Sequence, residues 1–211
     1  MQAHAPSRPP SDSLFEDTSL EEGHTMALTA SAIPGYVTGT WKLDPTHSEV
    51  SFSVRHLAIS KVKGKFEQFD ATLVTAENPL DTTLEATIDV ASINTNQPQR
   101  DQHLATGDFF LTEEHPHMTF RSTGIREDGD DMLIDGELSL RGVTKNVTLE
   151  TEFGGVTTDG YGQVKLGAEA TTKIDRNEFG VNWNAALEAG GFTLGNDVTI
   201  NLDVQFVLQA A

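Results

Sequence analysis

Cysteine is absent from all 211 residues. This excludes a disulfide framework, a thiolate metal site and a thiol nucleophile. Basic residues are scarce: 14 Lys and Arg stand against 32 Asp and Glu, giving a formal net charge of −18. Such an acid surplus repels nucleic acid and anionic membrane surfaces at long range, so neither is expected as a general partner. No run approaches the roughly 20 apolar residues that cross a bilayer as a helix, so stable insertion is not expected and membrane contact would be transient. The first residues lack a basic stretch followed by an apolar one, as a secretory leader has, and the expectation is a cytoplasmic protein. G-x-S-x-G, H-E-x-x-H and phosphate-binding glycine loops are all missing, so no enzyme, cofactor or metal is expected.

What is present divides into two parts. Residues 1–35 hold Pro6, Pro9, Pro10, several serines, and five acids against Arg8 alone, the composition of a disordered tail. Met26 offers an alternative start. Residues 36–211 repeat one pattern, an alternating apolar stretch followed by a turn signal. Trp41 and Leu43 precede Asp44-Pro45, and Val50, Phe52, Val54 and His56 share one face of the next stretch. Leu84, Ala86, Ile88 and Val90 alternate before a polar segment, and Met118 and Phe120 before an Asp128-Gly129 turn. Ile134, Gly136, Leu138 and Leu140 run into Arg141-Gly142; Leu166, Ala168, Ala170 and Ile174 follow the turn at Asp159-Gly160. Val198 to Leu208, with Val204 and Phe206, alternate to the end. About eight such strands predict an all-β, antiparallel sandwich or barrel. Small residues on apolar faces, Gly136, Ala168, Ala170 and Thr172, leave room for a ligand unless larger neighbours fill it. One helix is predicted in QPQRDQHLATGDFF, with Pro98 at its start, Gly107 at its end, and Leu104, Phe109 and Phe110 tying it on as a lid or plug.

The series GTWKLDPTHSEVSFSVRH, VKGKFEQFDATL, RDQHLATGDFF, HPHMTFRST, LRGVTKNVTL and KIDRNEFGVNW, in this order, resembles the YceI-like family of bacterial polyisoprenoid-binding, lipocalin-like proteins over residues 36–209. The resemblance implies an extended antiparallel lipocalin-like barrel. Its apolar lumen would hold a long-chain isoprenoid, an isoprenoid quinone or a similar lipid, for carriage, storage or sequestration. A homodimer is compatible with the sequence. Many members of that family are exported, which this chain's first residues do not suggest.

On this reading Val50, Phe52, Val54, Ile88, Val90, Phe120, Leu138, Ala168, Ala170, Val204 and Phe206 face the ligand. His56 ends an apolar face, either to meet a polar head group or to hold the strand end. Arg100 and His103, three apart on the short helix, either cap the lumen or fix the helix to the barrel together with Asp101. Phe179 and Trp183 lie in a glycine-rich stretch near Gly190-Gly191, as a gate or as a plug. His47 suits a bond between neighbouring loops. Arg55, Lys61, Lys63 and Lys65 form the one basic cluster, a solvated outer face or a site for anionic head groups. His115 and His117, with Glu113 and Glu114, lack zinc-site spacing. Two rival readings stay open: an enzyme on an enclosed apolar substrate, and a packed barrel with an interaction or stress role.

Overall fold

The computed structural model describes residues 33–129, 131–186 and 192–210. Met26, Gly190-Gly191 and most of the expected tail lie outside the described residues. Among the described residues eleven strands form one sheet, in the order β1-β4-β5-β7-β8-β9-β10-β11-β2-β3-β6, and β1 also pairs with β11. That last pairing, Trp41 opposite Leu208 and Leu43 opposite Phe206, closes an eight-stranded antiparallel barrel.

The eleven strands are eight passes of the chain. β1 (Gly39–Leu43) and β2 (Glu49–His56) lie end to end along β11 (Leu194–Leu208), separated by a 3-10 turn at Pro45–His47. β3 (Ser60–Phe66) and β4 (Phe69–Thr75) run back along them, and β5 (Thr83–Asp89) and β6 (Ile93–Asn94) make the third bent pass. β7 (His117–Asp128), β8 (Asp131–Leu140), β9 (Val143–Thr158), β10 (Val164–Asp175) and β11 complete an up-and-down meander.

Turn chemistry follows the sequence. Arg141 and Gly142, both with φ near the left-handed region at 51° and 74°, form the two-residue connection between paired Leu140 and Val143. That geometry matches the twist of adjacent strands. Alternation sends Trp41, Leu73, Leu138, Leu166 and Phe206 inward, all at least nine-tenths buried. The expected helix is α1 (Pro98–Leu104), with Pro98 at the first position where its missing N–H costs nothing. The helix closes at Ala105, two residues before Gly107. α1 lies at the end of the barrel that also carries the β2–β3 and β8–β9 turns and the β10–β11 link. The opposite end carries residues 33–38 and the β4–β5, β7–β8 and β9–β10 turns.

Candidate functional site

Two apolar chambers run along the inside of the barrel. The lower, about 170 Å³, lies toward residues 33–38 and is walled by Val50, Ile88, Phe120, Leu138, Ala168, Ala170, Val204 and Phe206. The upper, about 440 Å³, lies under α1 and is walled by Phe52, Val54, His56, Arg100, His103 and Trp183. Met118 and Ile200 line both, so the chambers meet at these two side chains. Tyr36 and Ile33 line the lower end, where the Tyr36 hydroxyl donates to the Ala76 carbonyl at 2.7 Å.

Val90 and Phe179 line neither chamber. The inward alternation of β5 ends at Asp89, whose carboxylate accepts from the Ala91 amide and opens a 3-10 turn in which Val90 is wholly buried. Phe179 closes the 3-10 turn Arg176–Phe179 and is 1% exposed, packed in the core rather than at a mouth. Gly136 leaves no room for a ligand either. A Cβ there would meet the Phe120 ring at 2.3 Å, so the ring of the adjacent strand occupies the space. Ala168, Ala170 and Thr172 do face the lower chamber.

The polar groups are gathered at the upper end. Arg100 donates from Nε to Thr95 Oγ1 at 2.7 Å and from Nη2 to the Thr95 carbonyl at 2.8 Å. Asp101 accepts from the Thr95 amide at 3.0 Å and from its hydroxyl at 2.5 Å. Thr95 thus joins the two charges, which do not touch directly, and fixes α1 to the chain leaving β6. His103 bonds Asp108 through Nε2 at 2.7 Å and meets Phe109 and Trp183 edge-on, each with centroids 5.1 Å away. Arg100 thus anchors the helix and borders the upper chamber. Trp183 belongs to the same aromatic cap.

Arg176 also lines the upper chamber and is 5% exposed. It donates from Nε to Gly195 O at 2.9 Å, and from Nη1 to Val181 O at 2.6 Å and Trp183 O at 2.9 Å. Burial lowers its pKa, against the opposing pull of the Asp175 charge, yet a guanidinium stays protonated in proteins. The sequence signal was there, an arginine set between buried Ile174 and Phe179, although polar residues beside a turn ordinarily face water. Thr95, Gln97 and Gln99, also in the upper wall, stand in a polar run that gives no such sign. Elsewhere His47 bonds Asp44 at 2.9 Å within the same bend, rather than joining two neighbouring loops. His115 lies against Gly142, and His117 sits opposite Asp89 in the ladder.

A family model, the YceI-like domain, matches residues 41–206. The chain belongs to the YceI-like family. A UPF0312 protein of Staphylococcus aureus is 39% identical over 165 residues, covering 77% of this chain and 94% of that one. A Campylobacter jejuni YceI protein is 31% identical with a TM-score of 0.64, over 74% of this chain and 90% of that one. A polyisoprenoid-binding domain from Saccharophagus degradans, 16% identical with a TM-score of 0.60, shares the fold over 82% of this chain and all of its own. The YceI-like barrel thus accounts for the closed ring, whose two chambers are lined mainly by apolar side chains.

Proposed function

We propose that the protein binds one long apolar chain, a long-chain isoprenoid, an isoprenoid quinone or a comparable lipid, and carries, stores or sequesters it. The observation that supports this is the pair of adjoining apolar chambers whose arginine and histidine side chains stand at the upper end only. The tail lies in the lower chamber among Ile88, Ala168, Ala170 and Val204. The head lies in the upper chamber, within reach of His56, Arg100, His103 and Gln99. The name of the Saccharophagus degradans neighbour, a polyisoprenoid-binding domain, supports the same class of ligand for this chain. Affinity comes mainly from removing methylenes from water, about 0.8 kcal/mol each before ordering costs. Tail length therefore outweighs head chemistry. The protein acts as a binding protein rather than an enzyme, a reading supported by Arg100 and Arg176 of the upper chamber being engaged in holding a helix and a loop.

Native mass spectrometry of protein purified without detergent, followed by solvent extraction, tests this reading. The expected result is one long-chain lipid per barrel. Val204→Asp, which puts a charge in the lower chamber, should abolish retention, whereas Lys63→Ala on the outer face should retain it. Equal lipid content in the two variants, or a wild-type protein that neither carries nor takes up a polyprenol or quinone, would sink the proposal.

A further inference from the structure

The β2–β3 hairpin has an unusual tip for a soluble barrel. A tight hairpin turn ordinarily takes Asn-Gly or Asp-Gly, because its residues need positive φ. Here Leu57 and Ala58 hold φ of 52° and 57° with no glycine. Such backbone strain persists where surrounding structure imposes it, and it gathers at functional sites. The Leu57 amide donates to Thr193 O at 2.8 Å, which ties the tip to the β10–β11 link. The turn presents Leu57, 37% exposed, and Ile59, 82% exposed, while Phe192, next to Thr193, is 66% exposed. Three large apolar side chains therefore face water together, beside His56, Thr193 and Leu194 of the upper chamber wall.

Around this tip lies a basic patch in an otherwise acidic molecule. Arg55 pairs with Lys61 and Ser53 with Lys63 in the ladder, so the three cations lie on the outer face of the hairpin, all exposed. Among the described residues none of the three forms an ion pair. Among the described residues, Glu49 stands 4.0 Å from Lys65, and Asp197 is 3.3 Å from Lys173. Glu113 and Glu114 precede His115 at the β8–β9 turn, four passes round the ring and so on the far side of the barrel end.

We propose that this hairpin tip is a docking site for an anionic lipid bilayer, with Ile59, Leu57 and Phe192 entering the headgroup layer and Arg55, Lys61 and Lys63 meeting lipid phosphates. The arrangement places the upper chamber against the membrane surface, and net negative charge on the rest of the barrel keeps the contact local and reversible. This inference stands on the tip's exposure and charge and does not depend on which lipid fills the lumen.

Co-sedimentation of the full chain with phosphatidylglycerol vesicles and with phosphatidylcholine vesicles tests it. The expected result is binding to phosphatidylglycerol at low salt, weakened in high salt. Each basic residue near such a surface is worth roughly fivefold in partitioning. Lys61→Glu with Lys63→Glu should therefore lower binding at least about tenfold, Ile59→Asp should lower it likewise, and Lys145→Glu on β9 should leave it unchanged. All these positions are exposed, so the variants fold, which thermal melting verifies. Absence of binding, equal binding to both vesicle types, or undiminished binding of either hairpin variant would overturn the proposal.

Discussion

Asp44 sits in the bend between β1 and β2, and its carboxylate accepts from His47 Nδ1 at 2.9 Å, from Lys165 Nζ at 3.0 Å and from the Thr46 amide at 3.1 Å. These bonds, that of His47 first, hold its pKa down from 3.8 to about 2. A carboxyl depressed on folding contributes stability that is fully present above its unfolded pKa and is lost as pH falls through the folded one. Wild type should therefore exceed Asp44→Asn by about 1–2 kcal/mol in urea unfolding near neutral pH, after allowing for solvent contact. The gap should close between roughly pH 4 and pH 2; a constant gap would assign it to something other than charge. At this scale much of the lumen was legible, because inward alternation alone places Val50, Phe120, Ala168, Ala170, Val204 and Phe206 on the wall. Val90 and Gly136 were not: a local Asp89 cap turns the first out of the strand, and a ring from the next strand fills the space over the second. Neither cause is written in the alternation.

Among the elements, the three bends decide the shape. Ser92 holds two of them together. Its hydroxyl accepts from the Glu67 and Gln68 amides at 3.1 and 3.0 Å and donates to Asp89 O at 2.6 Å, linking the β3–β4 break to the β5–β6 break. Ser92→Ala removes these bonds and leaves the Gln68 amide without that acceptor. A loss of about 1–2 kcal/mol in unfolding free energy is expected, with the far-ultraviolet spectrum unchanged. A neutral substitution would mean that water replaces the hydroxyl without penalty. Hairpins and the helix were readable in advance, since Arg141-Gly142, Asp128-Gly129 and Pro98 carry local turn and cap chemistry. The end-to-end stacking of β1 on β2, β4 on β3 and β6 on β5 was not. A bend within one pass and a turn between two passes look alike when Pro, Asp and Ser interrupt the same alternation.

For the whole molecule, the deciding contact is the pairing of β1 with β11, where Trp41 lies opposite Leu208. Alternation left sandwich and barrel open, because closure joins residues far apart in the chain. The quoted motifs carried the choice, and the ring of eight passes agrees with it. The bends have a mechanical consequence. Asp44 and Ser48 against Gln205, Gln68 against Ser92, and the bulge at Gly167/Ala168 make a slanting seam across several staves of the barrel. Above it stands a collar of β2, β3 and β6 capped by α1; below it stands a collar of β1, β4 and β5 with Trp41 wholly buried. The long staves β9, β10 and β11 cross the seam and act as a common spine. On the proposed lipid-binding reading, the upper collar flexes about this seam while the lower stays shut, so that a long guest threads in without the ring being unzipped. Hydrogen exchange should register this as earlier opening of amides in β2 and β3 than in β1 and β4, with β10 slowest. Uniform exchange across both collars would instead make the barrel a single rigid sleeve.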